Sequence, residues 1–210
     1  MKKLTFIFIL SFLLLTPTIV FSATVYDNTT YSLGVNLYAT DQVGDGVTLA
    51  GSERLITEFM FGYANANKTG MEKAHIRFYL NDGQDGQPGT LLKDLGSYSL
   101  QTDTFYHDLI ITGLTILIPG DTFTWTVEWE NFQLNPLSLP VFRLFDPPTI
   151  GSSGDFLWQY SGSWGKIETT NYFDNLSAQI KAEPVPEPAT MLLIGSGLIG
   201  LAGLRKKFKK

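Results

Sequence analysis

From Ala23 to Lys181 apolar and polar side chains alternate with a period of two, and no stretch sustains the 3.6-residue period of a helix. The clearest segment is "TFTWTVEWEN". There Phe123, Trp125, Val127 and Trp129 fall on one side, and Thr122, Thr124, Thr126, Glu128 and Glu130 on the other. That pattern predicts a strand with one buried and one wet face. "KAHIRFYL" sets Ala74, Ile76, Phe78 and Leu80 against His75, Arg77 and Tyr79. "RLITEFMFGY" is apolar on both alternation classes, with Leu55, Thr57, Phe59 and Phe61 opposite Ile56, Glu58 and Met60. "YHDLIIT" and "LTILIPG" read as two short Ile-rich strands, and "NLSAQIKA" as a last one carrying Leu176, Ala178 and Ile180 on one side.

Between these runs stand "DQVGDG", "NDGQDGQPG", "IPGD" and "PPTIGSSGD", all dense in turn-forming residues. Many short strands, frequent turns and no helix predict an all-β domain over residues 23–181, an antiparallel sandwich or jelly roll of nine to eleven strands. Next comes "AEPVPEP", residues 182–188, whose three prolines predict an extended, stiff linker.

The two ends depart from the alternation. Met1-Lys2-Lys3, an apolar run from Leu4 to Leu15 and the small residues after Pro17 have the layout of a secretory signal peptide, residues 1–22, with cleavage expected after Ser22 or Ala23. At the other end, Ala189 to Leu204 holds no charge. As a helix it measures about 24 Å, somewhat short of the roughly 30 Å bilayer core. Lysine stems reaching toward the headgroups extend it. Arg205, Lys206, Lys207, Lys209 and Lys210 stop the span and place residues 205–210 in the cytoplasm, with the body outside. Four glycines in nine residues argue against a buried soluble helix, because each costs about 1 kcal/mol relative to alanine.

Composition narrows the function classes. Without the signal and the basic end, eight Lys or Arg remain against twenty Asp and Glu, a formal charge of −12. Nucleic acid is a poor partner for such a body, since phosphate binding works through basic residues. The chain has no cysteine, which excludes disulfides, thiolate metal sites and a cysteine nucleophile. Burial alone must hold the domain.

The terminal segment "VPEPATMLLIGSGLIGLAGLRKKFKK" resembles the PEP-CTERM sorting signal of Gram-negative bacteria that make extracellular polysaccharide. Pro186-Glu187-Pro188, Ala189-Thr190, a short Gly-rich span and a basic end occur in that order. The resemblance implies an exosortase, a membrane cysteine transpeptidase-like protease, that recognises the motif and removes the tail after export. It implies a membrane-anchored intermediate, then a place at the cell surface or in an extracellular matrix. Physically, the two prolines keep the motif extended beside the membrane, where a protease can bind its backbone.

Chemistry within the body is sparse. His75 and His107 lie about thirty residues apart, and neither sits in a GxSxG or HExxH context. Glu128 and Glu130 share a strand face about 7 Å apart, a spacing compatible with glycoside hydrolysis, but the neighbouring threonines favour an ordinary solvated face. In "NDGQDGQPG", Asn81, Asp82 and Asp85 offer oxygens to a weak calcium site, without the spacing of an EF-hand. A hairpin connection is the simpler reading. Phe156, Trp158 and Tyr160 share an alternation class suited to a core, whereas Trp164, in a Gly/Ser loop, is the candidate for stacking on a sugar. These readings lead to a non-enzymatic exported protein without a cofactor, structural or adhesive in an exopolysaccharide matrix or biofilm. The alternative is a carbohydrate-binding or weakly hydrolytic module.

Overall fold

The computed structural model describes residues 21–65, 70–102, 105–132, 140–167, 175–185 and residue 195. Its strands are β1 (Ala23–Asp27), β2 (Ser32–Leu37), β3 (Gln42–Thr48), β4 (Leu55–Asn65), β5 (Lys73–Tyr79) and β6 (Leu91–Ser99). These are followed by β7 (Tyr106–Leu117), β8 (Thr122–Glu130), β9 (Pro140–Phe145) and β10 (Ser152–Tyr160). The last three are β11 (Trp164–Ile167), β12 (Asn175–Leu176) and β13 (Ala178–Glu183). Thirteen strands exceed the nine to eleven expected, chiefly because polar, glycine-rich segments also pair.

The strands form two sheets, and every pairing within them is antiparallel. The six-stranded sheet runs β11–β10–β3–β8–β5–β6. The seven-stranded sheet runs β1–β13–β4–β9–β12, with β7 on β4 and β2 on β9. Their inner faces meet through aromatic rings. Phe59 lies 5.2 Å from Phe78 and 5.0 Å from Trp125, and Phe61 lies 5.8 Å from Trp125 and 6.2 Å from Trp129. As the alternation predicts, Phe123, Trp125, Val127 and Trp129 are buried, and so are Ala74, Ile76 and Phe78. Full burial of such side chains supplies the cohesion that a cysteine-free domain needs.

Five differences from the expected pattern are seen. The two-sided apolar pattern of β4 reflects a register shift between Ile56 and Glu58. The slip at Thr57 lets Ile56, Phe59, Phe61 and Tyr63 all turn inward. The runs around Ile110 and Ile116 are one strand, β7, carried through Gly113 at φ +72° opposite that same shift. Of "DQVGDG", expected to be a turn, Gln42–Gly46 instead belongs to β3, which lies between β10 and β8 within the six-stranded sheet. Likewise Ser152–Asp155 of "PPTIGSSGD" belongs to β10. At the C-terminal side β13 runs to Glu183, two residues into the stretch read as linker.

Among the described residues no helix is long and apolar enough to cross a membrane. The segment 189–204 expected to do so lies outside the described residues apart from Gly195, and the signal peptide does too except for Phe21 and Ser22.

Candidate functional site

The outward face of the six-stranded sheet is not the evenly wetted surface that alternation predicts. Thr124 and Thr126 are completely buried there. Glycine in the neighbouring strand is the reason. At Gly44 a Cβ would stand 2.5 Å from the Thr126 methyl and 2.6 Å from the Trp125 carbonyl, so only glycine fits. Into the space left by Gly44 and Gly46 pack the threonine methyls and the Trp158 indole, the latter 2% exposed. Gln42 donates to the Thr126 hydroxyl at 2.7 Å and to the Tyr79 hydroxyl at 3.3 Å, and Thr124 donates to Asn81 Oδ1 at 2.7 Å. The floor of this face is thus a second, mixed core.

Above the floor the sheet curls. Trp164 on β11 and Tyr79 on β5 are four strand spacings apart, roughly 19 Å on a flat sheet, yet their rings lie 5.6 Å apart. Twist and coiling therefore bring two diagonal corners of the face together. Tyr160 continues the row, its ring 5.1 Å from Trp164. Beside them Asp41 accepts from the Gln159 amide and the Ser161 hydroxyl, each at 2.6 Å. Lys166 places its ammonium 4.1 Å from the Phe156 ring centroid and 5.4 Å from that of Trp158. The result is a rim of three aromatic rings flanked by hydrogen-bonding groups. Trp164 opens a strand rather than sitting in a loop, and it is half-buried, while Tyr160 at 42% exposure is the more accessible ring.

The same face carries an ionic network. His75 Nδ1 lies 2.9 Å from Glu130, His75 Nε2 lies 2.8 Å from Asp94, and Arg77 donates to Glu128 at 2.8 Å. Burial tends to raise the Asp94 carboxyl, but hydrogen bonds from His75 and the Gly96 N–H outweigh it and leave the group below its ordinary pKa. The Ser97 side chain, then His75, hold Glu130 low as well. Glu128 and Glu130 are accordingly engaged by Arg77 and His75. His107 lies in the other sheet, stacked on Tyr63 at 5.2 Å, so the two histidines are not brought together.

The loop between β5 and β6 keeps its expected turn character, with a 3-10 turn at Gln84–Gly86. Its oxygens are engaged internally. Asp82 accepts from the Thr90 N–H and the Thr90 hydroxyl, both at 2.6 Å, and Asn81 accepts from Thr124. Asp85 is exposed. Among the described residues no group of three or more His, Asp or Glu side chains is placed to hold a metal ion.

One comparison reaches beyond the body. The sequence model of the PEP-CTERM protein-sorting motif matches residues 184–207. The chain carries a PEP-CTERM sorting motif. The motif implies an exported protein sorted by an exosortase, first as a membrane-anchored intermediate and then at the cell surface. Its Pro186, Glu187 and Pro188 and its basic residues from Arg205 onward lie outside the described residues. The PEP-CTERM match begins one residue after β13 ends, so the sorting tail issues directly from a paired strand. A comparison with curated proteins yields no match to the chain.

Proposed function

We propose that this protein is a non-enzymatic component of the cell surface or extracellular polysaccharide matrix, structural or adhesive in role, delivered there by exosortase processing of its PEP-CTERM tail. Polysaccharide is met at the curled face of the six-stranded sheet. The observation that carries this reading is the rim of Tyr79, Trp164 and Tyr160, whose ring contacts hold three aromatic surfaces in one row. Aromatic faces stack on the apolar faces of sugar rings, and the flanking Gln159, Asp41 and Ser161 supply donors and acceptors for hydroxyl groups. A binding rather than hydrolytic role is supported by the pairing of Glu128 and Glu130 with Arg77 and His75.

Retention of the exported protein on its host's polysaccharide, followed by affinity electrophoresis, tests the site. Trp164→Ala should weaken retention at least about tenfold, while Glu128→Gln leaves it unchanged. Equal retention of wild type and Trp164→Ala, with both folded, rejects the rim as the contact. Processing has its own readout: intact mass of the mature protein should lack residues from Met191 to Lys210, and their presence rejects exosortase cleavage.

A further inference from the structure

Two buried polar side chains, Asp45 and Asn28, bond to the backbone of Leu176 in β12, beside a third, Asn175. Leu176 donates its N–H to Asp45 Oδ2 at 2.9 Å, and its carbonyl accepts from Asn28 Nδ2 at 3.2 Å. The same Asn28 amide donates to the Phe145 carbonyl at 2.9 Å. Phe145 is the ladder partner of Asn175, which precedes Leu176 and donates its own amide to Asp146 at 2.8 Å. Both Asn28 amide donors and one of Asn175 are used, but one oxygen of each side chain is not, and the indole N–H of Trp125, the ladder partner of Asp45, is also buried without a partner. Asn28 Oδ1, Asp45 Oδ1 and Asn175 Oδ1 are buried without a hydrogen-bond partner, on residues at most 1% exposed.

Three orphaned acceptors are costly, because each has lost its water without gaining a donor. A protonated Asp45 and a water satisfy these oxygens only in combination, and only while the carboxyl keeps its proton. A cation serves any number of them. We propose that Asn28, Asp45 and Asn175 hold a calcium ion between the two sheets. The donor chemistry is that of a hard ion: one carboxylate and two amide oxygens, with no nitrogen or sulfur ligand. Asp146 adds a second negative charge at the half-buried side of the cluster, near enough to raise the Asp45 carboxyl further than burial already does. With so few charged ligands the affinity belongs to the range of extracellular calcium modules, about 10⁻⁴ to 10⁻³ M. That suits a protein that works outside the cell. The site is distinct from the Asn81–Asp85 loop, where Asn81 and Asp82 already have donors.

The exported protein, stripped with EGTA and titrated with calcium chloride, provides the test. Calcium at about 10 mM should raise the thermal midpoint by at least about 3 °C. Terbium should luminesce through energy transfer from Trp125, the ladder partner of Asp45. Asp45→Asn and, as a milder variant, Asn175→Ala should lose the response at least about tenfold, while Asp82→Asn keeps it. No midpoint shift and no terbium signal in the native chain overturn the proposal. So does a response that survives Asp45→Asn, or one lost only in Asp82→Asn.

Discussion

The stretches Asp41–Gly46 and Asn81–Gly89 share a vocabulary of Asp, Gly and Gln, but one is built into the interior of a sheet and the other is a loop at its end. What separates them is the spacing of two valines. In β3, Val43 and Val47 are buried on the inner face with Asp45 between them, and Gly44 takes the opposite face, packed against Thr124 and Thr126. The loop has no apolar pair at even spacing, and its aspartate turns back on its own hairpin through Thr90. Glycine in the first stretch makes room for neighbours. In the second it supplies backbone freedom, as Gly86 does at φ +76°. A turn-rich composition therefore has two opposite physical meanings, and the flanking periodicity decides between them.

Substitutions matched across the two stretches sharpen this contrast. The largest effect belongs to Gly44→Ala, which drives a methyl into the Trp125 carbonyl and the Thr126 methyl. Urea unfolding should register a loss of about 2–3 kcal/mol. A loss under about 0.5 kcal/mol would mean that the two strands separate easily and that the packed floor described here is wrong.

The second effect is a pH slope. Burial raises the Asp45 pKa well above its ordinary value, with Asp146 adding to the shift. In the presence of EGTA the folded state therefore keeps a proton that the unfolded chain releases from about pH 4 upward. Stability should fall as pH rises from that point toward the folded-state pKa. The slope should vanish in Asp45→Asn. A flat profile in the chelated native protein contradicts the buried, acid-stabilised carboxyl.

Gly86→Ala comes next. Its surroundings are open, so only the backbone conformation resists, at about 1 kcal/mol. The smallest effect is that of Asp82→Asn. Thr90 holds the Asp82 carboxyl below its ordinary pKa, so its contribution is present above about pH 4 and fades as pH falls through the lowered value. Acid titration of the thermal midpoint should reveal a tilt opposite in sign to that of Asp45.

Much of the fold was legible before any coordinates. The buried faces of β5 and β8 follow directly from strict alternation of large apolar residues. The inner core was readable because its signal is local and strong. The curled outer face was not, because Thr124, Thr126 and Gln42 are polar residues buried by neighbours distant in sequence. Trp164 stood out from its sequence as the candidate sugar contact, and Tyr160 is its ladder partner across the β10–β11 hairpin, whereas Tyr79 lies on the distant β5 and joins them only through the curvature of the sheet. For the Asn28, Asp45 and Asn175 cluster the one local hint was an aspartate alternating with valines, since the cluster spans β3, β12 and the end of β1. The PEP-CTERM motif was readable, because a peptide signal is recognised as sequence and needs no tertiary context.

The C-terminal strand gives the sorting tail a mechanical setting. β13 lies between β1 and β4, hydrogen-bonded to both along its length, and leads straight into residue 184. A pull on the chain at that point acts along the strand axis, so the bonds on both flanks are loaded in shear and resist together instead of unzipping in turn. A load applied at residue 184 is therefore met by a strand bonded on both flanks.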